Sequence, residues 1–286
     1  MRVQGIKFLI TGRRGQLAEE FSTMFRVPIS QVDITDRKAL RAELEEVKPD
    51  VVLNCASYNN VDGAETDKAT ADKVNFFGTG YLASACEDIG AFLVQYSTDY
   101  VFSGNNRSVP YTEDDTPDPT GYYGMSKYKG EHIIPEMMPH DNYLILRLSW
   151  VYGRGEGKAN SLHKLLKIAE NNEVVRMADD QVSIPTSTWD VVFLTTLALN
   201  HDLTGIYHCT ASGYASRYEM CKYLYEQMGI DKELIPVSMD YFKAAAQRPH
   251  FAPLSNGKLA DALGIKIPDW KTSVELYARM RNVRSA

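Results

Sequence analysis

The feature that most limits the fold is the alternation, through the first 100 residues, of short apolar runs with longer amphipathic ones. IKFLIT, LAEEFSTMF, KALRAELEEV, DVVLNCA, ADKVNFFGTGYLASACEDIG and AFLVQYST follow one another in that order. A short, wholly apolar run is a strand buried on both faces, and such a strand needs helices above and below it. The rhythm predicts an α/β chain with a Rossmann-like, doubly wound parallel sheet. Ligands of such sheets bind outside the carboxyl ends of the strands, so chemistry is sought there. The second strand is the least marked, because FRVPISQVDITD is short and interrupted by Pro28; we place it over 27–32.

The second half reads differently. YLILRLSWVYG is another buried strand ending in a glycine loop, NSLHKLLKIAENN is helical, VVRMADDQVSIPTS extended, STWDVVFLTTLALN helical, and GIYHCTAS a strand. From Arg217 onward, short helices alternate with proline-broken loops such as LIPVSM, QRPHFAPLSN and IKIPDW. The expected division is a main domain over 1–150 and a small C-terminal lobe over 151–286, with a segment around 186–212 returning to the main sheet.

A length of 286 residues, 44% of them hydrophobic, allows a large core. The formal charge of −6 offers no general attraction for nucleic acid or an anionic membrane, so neither is expected as a partner. Cys55, Cys86, Cys209 and Cys221 are too scattered for a metal module or a disulfide scaffold. MRVQGIKFLITG has no apolar signal region, and no stretch of about 20 apolar residues occurs, which makes a cytoplasmic location the expectation.

Three strand ends and one helix carry candidate chemistry. In FLITGRRGQLAEEF, Gly12 permits a tight turn and Gly15 a close backbone approach to a pyrophosphate at a helix N-terminus, while Ala18 holds the place of a third glycine. In DVVLNCASYNNVDGAE, the residues Asn54, Cys55, Ala56, Ser57 and Tyr58 end a strand with side chains small enough for an adenosine or ribose to lie on the backbone; a tight turn is the plainer reading. Ser97, Thr98 and Asp99 emerge at the end of AFLVQYST, where hydroxyls have no core role, or else merely cap the next turn. In PTGYYGMSKYKGEHII, helical periodicity puts Tyr123 and Lys127 on one face, whereas Tyr122 meets Ser126 and Tyr128 meets His132. With 17 tyrosines in the chain, about one such Tyr-Lys pair arises by chance, and Tyr218 with Lys222 is a second. In the lobe, Arg248 offers a cation for a diphosphate and Trp150 a flat apolar face for a sugar or base.

Taken in order, these segments resemble the extended short-chain dehydrogenase/reductase superfamily and, within it, the dTDP-4-dehydrorhamnose reductase family. The resemblance rests on TGRRGQLA, VDITD, PDVVLNCASYNNVDGAE, STDYVFSG, YYGMSKYKGE, LRLSWVYG, DDQVSIPT, AAAQRPHFAPLSNGKL and PDWKTSVEL, which span nearly the whole chain. It implies reduction of the C4 keto group of a dTDP-sugar by NADPH or NADH, an NAD(P)-binding main domain and a substrate-binding lobe. It implies Thr98, Tyr123 and Lys127 as the catalytic trio. Gly12, Arg13, Arg14, Gly15, Gln16, Leu17, Asp33, Ile34, Ala56, Ser57 and Tyr58 would contact the cofactor together with Tyr123 and Lys127. Thr98, Asp99, Trp150 and Arg248 would face the sugar nucleotide. Arg13 and Arg14 sit where a 2′-phosphate could reach them, and no acid precedes Asp33 at the end of the second strand, which leans the cofactor to NADPH. Some members dimerise around Mg²⁺ held by acidic side chains, so a homodimer is an expectation of the resemblance; no acidic set here matches residue by residue, and no metal ligand is assigned.

The sequence also departs from the family. Ser183 stands where Gly is common, Ser161 where an aromatic often follows Asn160, and Asn59 where Thr often follows Tyr58. All three bear on the sugar more than on hydride chemistry. The related 4,6-dehydratases typically carry Asp-Glu after the threonine, whereas here Asp99 precedes Tyr100, which favours simple reduction. The alternatives are a non-catalytic regulatory or binding subunit of the same fold and a related nucleotide-sugar epimerase.

Overall fold

The computed structural model describes residues 5–155 and 160–285, the last four of these without their side chains. The first half runs β1 (Phe8–Thr11), α1 (Gln16–Phe25), α2 (Arg37–Val47), β2 (Val51–Asn54), α3 (Val61–Thr66), α4 (Lys68–Asp72), a π-helical turn over Lys73–Gly78, α5 (Thr79–Ile89), β3 (Phe92–Thr98), α6 (Tyr122–Met137) and β4 (Tyr143–Leu148). Helices begin where a side chain can serve the unpartnered first-turn amides: Asp36 accepts from Ala39 N–H at α2, and Asn60 from Gly63 N–H at α3.

The second half runs β5 (Val151–Tyr152), α7 (Ser161–Asn171), β6 (Val174–Ala178), β7 (Val182–Ser183), β8 (Thr186–Ser187), α8 (Thr188–Asn200), β9 (Gly205–His208), β10 (Ala215–Ser216), α9 (Arg217–Met228), β11 (Glu233–Val237), α10 (Gly257–Leu263) and α11 (Trp270–Ser285). The main sheet is parallel, in the order β1-β2-β3-β4-β9. Its residues alternate between two apolar layers, as a period of two requires. Phe8, Ile10, Leu53, Val94 and Leu146 share one layer with residues of α1, α8 and α10; Leu9, Val52, Leu93 and Ile145 share the other with residues of α2, α5 and α6. Full burial of each such side chain stabilises the sheet by about 1.5–3 kcal/mol.

The strand expected over 27–32 shrinks to one parallel bridge, Ile10 with Ile29, closed by Ser30 N–H on the Ile10 carbonyl at 2.8 Å. Pro28 has no N–H to give, and the Ser30 hydroxyl turns away to Glu43, so the chain leaves the sheet at once. The lobe has its own core, in which Tyr152, Leu162, Trp189, Leu224, Trp270 and Tyr277 pack with the parallel pair β6–β11. Two expectations fail here. α9 and α11 are long, at 12 and 16 residues, and LIPV belongs to a strand despite Pro236, because a two-stranded sheet has only edges and an edge tolerates proline. Among the described residues, no helix is long and apolar enough to cross a membrane.

Candidate active site

The turn after β1 is built for close approach. Gly12 has φ 83°, and a Cβ there would lie 2.5 Å from the carbonyl carbon of Cys55 at the end of β2. The two strand ends are thereby pressed together, with the N-terminus of α1 above them. Gly12, Arg13, Arg14 and Gly15 line an outer cavity of about 440 Å³ with Gln31, Asp33, Ile34, Ala56 and Ser57. Arg13 Nη1 donates to Gln31 Oε1 at 3.0 Å, and the Thr35 N–H holds the Asp33 carboxyl below its usual range. The loop 55–58 is pinned from behind by Asn75, on the π-helical turn, which is 2% exposed. Asn75 Oδ1 accepts from Ser57 Oγ at 3.1 Å and Tyr58 N–H at 2.9 Å, and its amide donates to Ser126 Oγ at 2.9 Å.

The outer cavity continues into an inner one of about 470 Å³, lined by Gln16, Leu17, Ser97, Thr98, Asp99, Tyr100, Tyr123, Lys127 and Trp150. α6 lies close against the end of β3 because Gly124 faces the Tyr100 carbonyl, where any Cβ would collide. The Tyr-Lys spacing then brings Tyr123 and Lys127 into the cavity. Tyr122 faces away, its hydroxyl donating to Asp72 at 2.8 Å. Lys127 is 4% exposed, and its Nζ donates to the Tyr96 carbonyl at 2.6 Å. Burial holds its ammonium down to about 8, against the pull of Glu131. Burial pushes the Tyr123 phenol up, against a hydrogen bond with Thr98. Its ring meets that of Tyr100 edge-on, centroids 5.7 Å apart.

Four polar atoms of this inner wall, Gln16 Oε1, Ser97 Oγ, Trp150 Nε1 and Ser161 Oγ, are buried without any protein partner. An unpartnered buried polar atom costs about 1–3 kcal/mol, so these residues carry a local cost in the resting chain. Trp150 is also held at φ 40°, a left-handed conformation unusual for a bulky residue.

On the lobe side lies a third cavity, of about 600 Å³, lined by Asp62, Met177, Gln181, Arg217, Phe242 and Arg248 among others. Each of the three is of a size that takes a nucleotide-scale ligand. Arg217 lines both the lobe cavity and the inner cavity. Its guanidinium stacks 3.5 Å from the centroid of the Trp150 ring. Arg248 Nη2 donates to Asp62 Oδ2 at 2.8 Å, tying the lobe loop to α3.

The structure thus gathers Gly12 to Leu17, Asp33, Ile34, Ala56, Ser57, Thr98, Asp99, Tyr123, Lys127, Trp150 and Arg248 around connected space. Tyr58 is different: it lines none of these cavities, and Asn59 takes that place on the wall. Asp99 reaches the wall, but its carboxyl group is engaged by Thr98, Ser149 and Ser183. Tyr218 packs on the lobe core and Lys222 is exposed, so that pair takes no part. Sequence reasoning missed Arg217, Tyr100 and Asn75 as site residues, while Ser161, read there as a departure on the sugar side, does line the inner cavity. A signal existed for Arg217 alone: Ser216 and Glu219 form a capping box, and a cation in the first turn of a helix opposes the helix dipole. Among the described residues, no group of three or more His, Cys, Asp or Glu side chains could hold a metal ion.

A family model described as the RmlD substrate binding domain matches residues 6–282. The chain is 34% identical over 283 residues to a dTDP-4-dehydrorhamnose reductase of Mycolicibacterium smegmatis, covering 96% of this chain and 85% of that protein. It is 32% identical over 284 residues to the spore coat polysaccharide biosynthesis protein SpsK of Bacillus subtilis, covering 96% and 98%. Its fold is similar to a dTDP-4-dehydrorhamnose reductase of Bacillus anthracis solved in complex with NADP, with TM-score 0.89 and 30% identity over 95% of this chain and 98% of that one.

Proposed function

The chain belongs to the RmlD substrate binding domain family, and from that premise we propose that it is an NAD(P)H-dependent oxidoreductase that reduces the C4 keto group of a dTDP-linked 6-deoxy-4-keto sugar, dTDP-4-dehydro-L-rhamnose to dTDP-L-rhamnose. One observation carries the reading: Thr98, Tyr123 and Lys127 line one cavity together with residues of the glycine turn, and Arg217 joins that cavity to the lobe.

The residues present fit a dinucleotide. Gly12 to Leu17 would cradle the diphosphate at the start of α1, Arg13, Arg14, Asp33, Ile34, Ala56 and Ser57 would surround the adenosine half, and Lys127 would hold the nicotinamide ribose. When bound, the reduced nicotinamide supplies the hydride that goes to C4 of the sugar. Tyr123 delivers the proton to the carbonyl oxygen. With its phenol pushed up by burial, Tyr123 keeps that proton until negative charge builds on the substrate. Lys127, one helical turn away and still mostly ammonium at neutral pH, favours the phenolate left behind. Thr98 gives a hydrogen bond to the same substrate oxygen. On the lobe side, Arg217 and Arg248 meet the diphosphate, and Trp150 offers its face to the sugar. Trp150 and Asp62 hold the two guanidinium groups in fixed positions on that wall.

The test is a coupled assay with purified protein, dTDP-4-dehydro-L-rhamnose and NADPH or NADH, following loss of the nicotinamide absorbance. Turnover that disappears in Tyr123→Phe supports the assignment. A folded wild-type protein that consumes neither cofactor sinks it.

A further inference from the structure

Asp99 is 2% exposed, and its two carboxyl oxygens are used differently. Oδ1 accepts from Thr98 Oγ1 at 3.1 Å. Oδ2 closes a triangle with two hydroxyls, Ser149 Oγ at 2.8 Å and Ser183 Oγ at 2.5 Å, and the two hydroxyl oxygens are 2.6 Å from each other. Ser149 and Ser183 are themselves 1% and 5% exposed. All three edges are within hydrogen-bond distance, and each edge needs one proton. Two serines carry two protons between them. With Asp99 as a carboxylate, one edge has no proton: the Ser149–Ser183 edge if both hydroxyls point at Oδ2, or a serine–Oδ2 edge if one serine donates to the other. A third proton, on Asp99, gives every edge one donor.

We infer that Asp99 holds this third proton in the resting protein, and that the neutral carboxyl, closed into a ring by Ser149 and Ser183, is a positioning residue for Thr98. Its catalytic consequence rests on the reductase reading above; the proton itself does not. A carboxylate would hold the Thr98 proton through a charge-assisted hydrogen bond about twice as strong as a neutral one. A neutral carbonyl oxygen holds it loosely enough for Thr98 to turn it to the substrate oxygen. Ser183 is the member that stands where the resembling family commonly has Gly, which brings no hydroxyl, so the closed ring is a property of this chain.

Three further groups face the carboxyl. Tyr123 approaches from α6, Tyr100 from the adjoining turn, and Arg217 from α9. Arg217 favours a carboxylate, but its guanidinium is stacked on Trp150. Burial raises the Asp99 carboxyl above its ordinary range, against the hydrogen bonds from Ser183, Ser149 and Thr98 and the charge of Arg217.

The experiment is an infrared difference spectrum of the full chain, without substrate, wild type against Asp99→Asn at neutral pH. The expected result is a protonated-carboxyl C=O band that Asp99→Asn lacks; a carboxylate band lost in its place overturns the inference. Wild-type protein carrying ¹³C-labelled aspartate reads the same state by NMR without any variant. One carboxyl resonance should remain at its protonated position at about pH 7, well above the ordinary aspartate value of about 3.9, and a full set of ionised resonances there overturns the proton. The positioning role is read from the alkaline limb of kcat, on which Lys127 also titrates: Asp99→Asn should lose one ionising group from that limb whatever its absolute rate, and unchanged steepness overturns the role. The two spectroscopic results stand apart from the reaction. A missing band leaves the reductase reading intact, whereas a band in a protein that reduces no keto sugar removes that reading and leaves the proton on Asp99.

Discussion

Replacing Lys127 by methionine should stop turnover and at the same time make the protein harder to melt. The ammonium is 4% exposed and has the Tyr96 carbonyl as its partner, while Glu131, one turn further along α6, is bound to Arg147 at 2.7 Å. Burial holds Lys127 down to about 8 from an ordinary 10.5, which corresponds to about 3 kcal/mol of lost stability. Below pH 8 the lysine is charged in both the folded and the unfolded chain, and the cost is complete. Between about pH 8 and about pH 10.5 the folded protein releases its proton first, so stability rises with pH until the cost has gone. Methionine removes the charge but leaves the Tyr96 carbonyl unpartnered, which takes back about 1–3 kcal/mol. The balance is a gain of about 0–2 kcal/mol at neutral pH, a rise in Tm of up to a few degrees. Cofactor affinity should fall by about 10- to 150-fold, the range for losing a charged hydrogen bond of about 1.5–3 kcal/mol. Scanning calorimetry near pH 7 and near pH 10, with titration of NADPH by fluorescence, measures both. A Tm lowered by several degrees at neutral pH, or an unchanged affinity for NADPH, refutes the reasoning.

Other substitutions probe the remaining assignments. Tyr123→Phe should cut kcat by at least about 100-fold, the lower range for a lost general acid, with cofactor affinity nearly unchanged, while Tyr218→Phe should be silent; steady-state kinetics on both decides whether the pair on α6 or the pair on α9 carries the site. Arg248→Ala should raise the sugar-nucleotide KM by about 10- to 100-fold through loss of a charged contact, with Tm and NADPH affinity steady, and an unchanged KM removes Arg248 from the site. Arg13→Ala with Arg14→Ala should raise the KM for NADPH more than that for NADH, since both arginines line the outer cavity; equal changes would detach these arginines from the 2′-phosphate.

What could be read from the sequence is what depends on neighbours along the chain. The glycine turn, the apolar runs and the Tyr123–Lys127 spacing are local, and each appears where the helical or strand period requires. The strand over 27–32 failed because pairing there is decided by Pro28 and by the Ser30 hydroxyl choosing Glu43. Asp99 was placed at the right strand end, but the direction of its carboxyl group is set by Ser149 and Ser183, which lie 50 and 84 residues away in sequence. Arg217 escaped notice for the same kind of reason: it reaches the cavity only because α9 packs the lobe against the main sheet. Asn75 gives no sign in sequence at all, since its four contacts exist only when the π-helical turn faces the loop 55–58.

The most direct test of the central claim follows the transferred atom. Wild-type protein is incubated with dTDP-4-dehydro-L-rhamnose and NADPH deuterated at nicotinamide C4, and the product is read by mass spectrometry and proton NMR. The account predicts one deuterium at C4 of a dTDP-6-deoxy sugar for each NADPH oxidised, and none of that product from Tyr123→Phe. Cofactor left unoxidised by folded protein, or a sugar product without deuterium at C4, would contradict it.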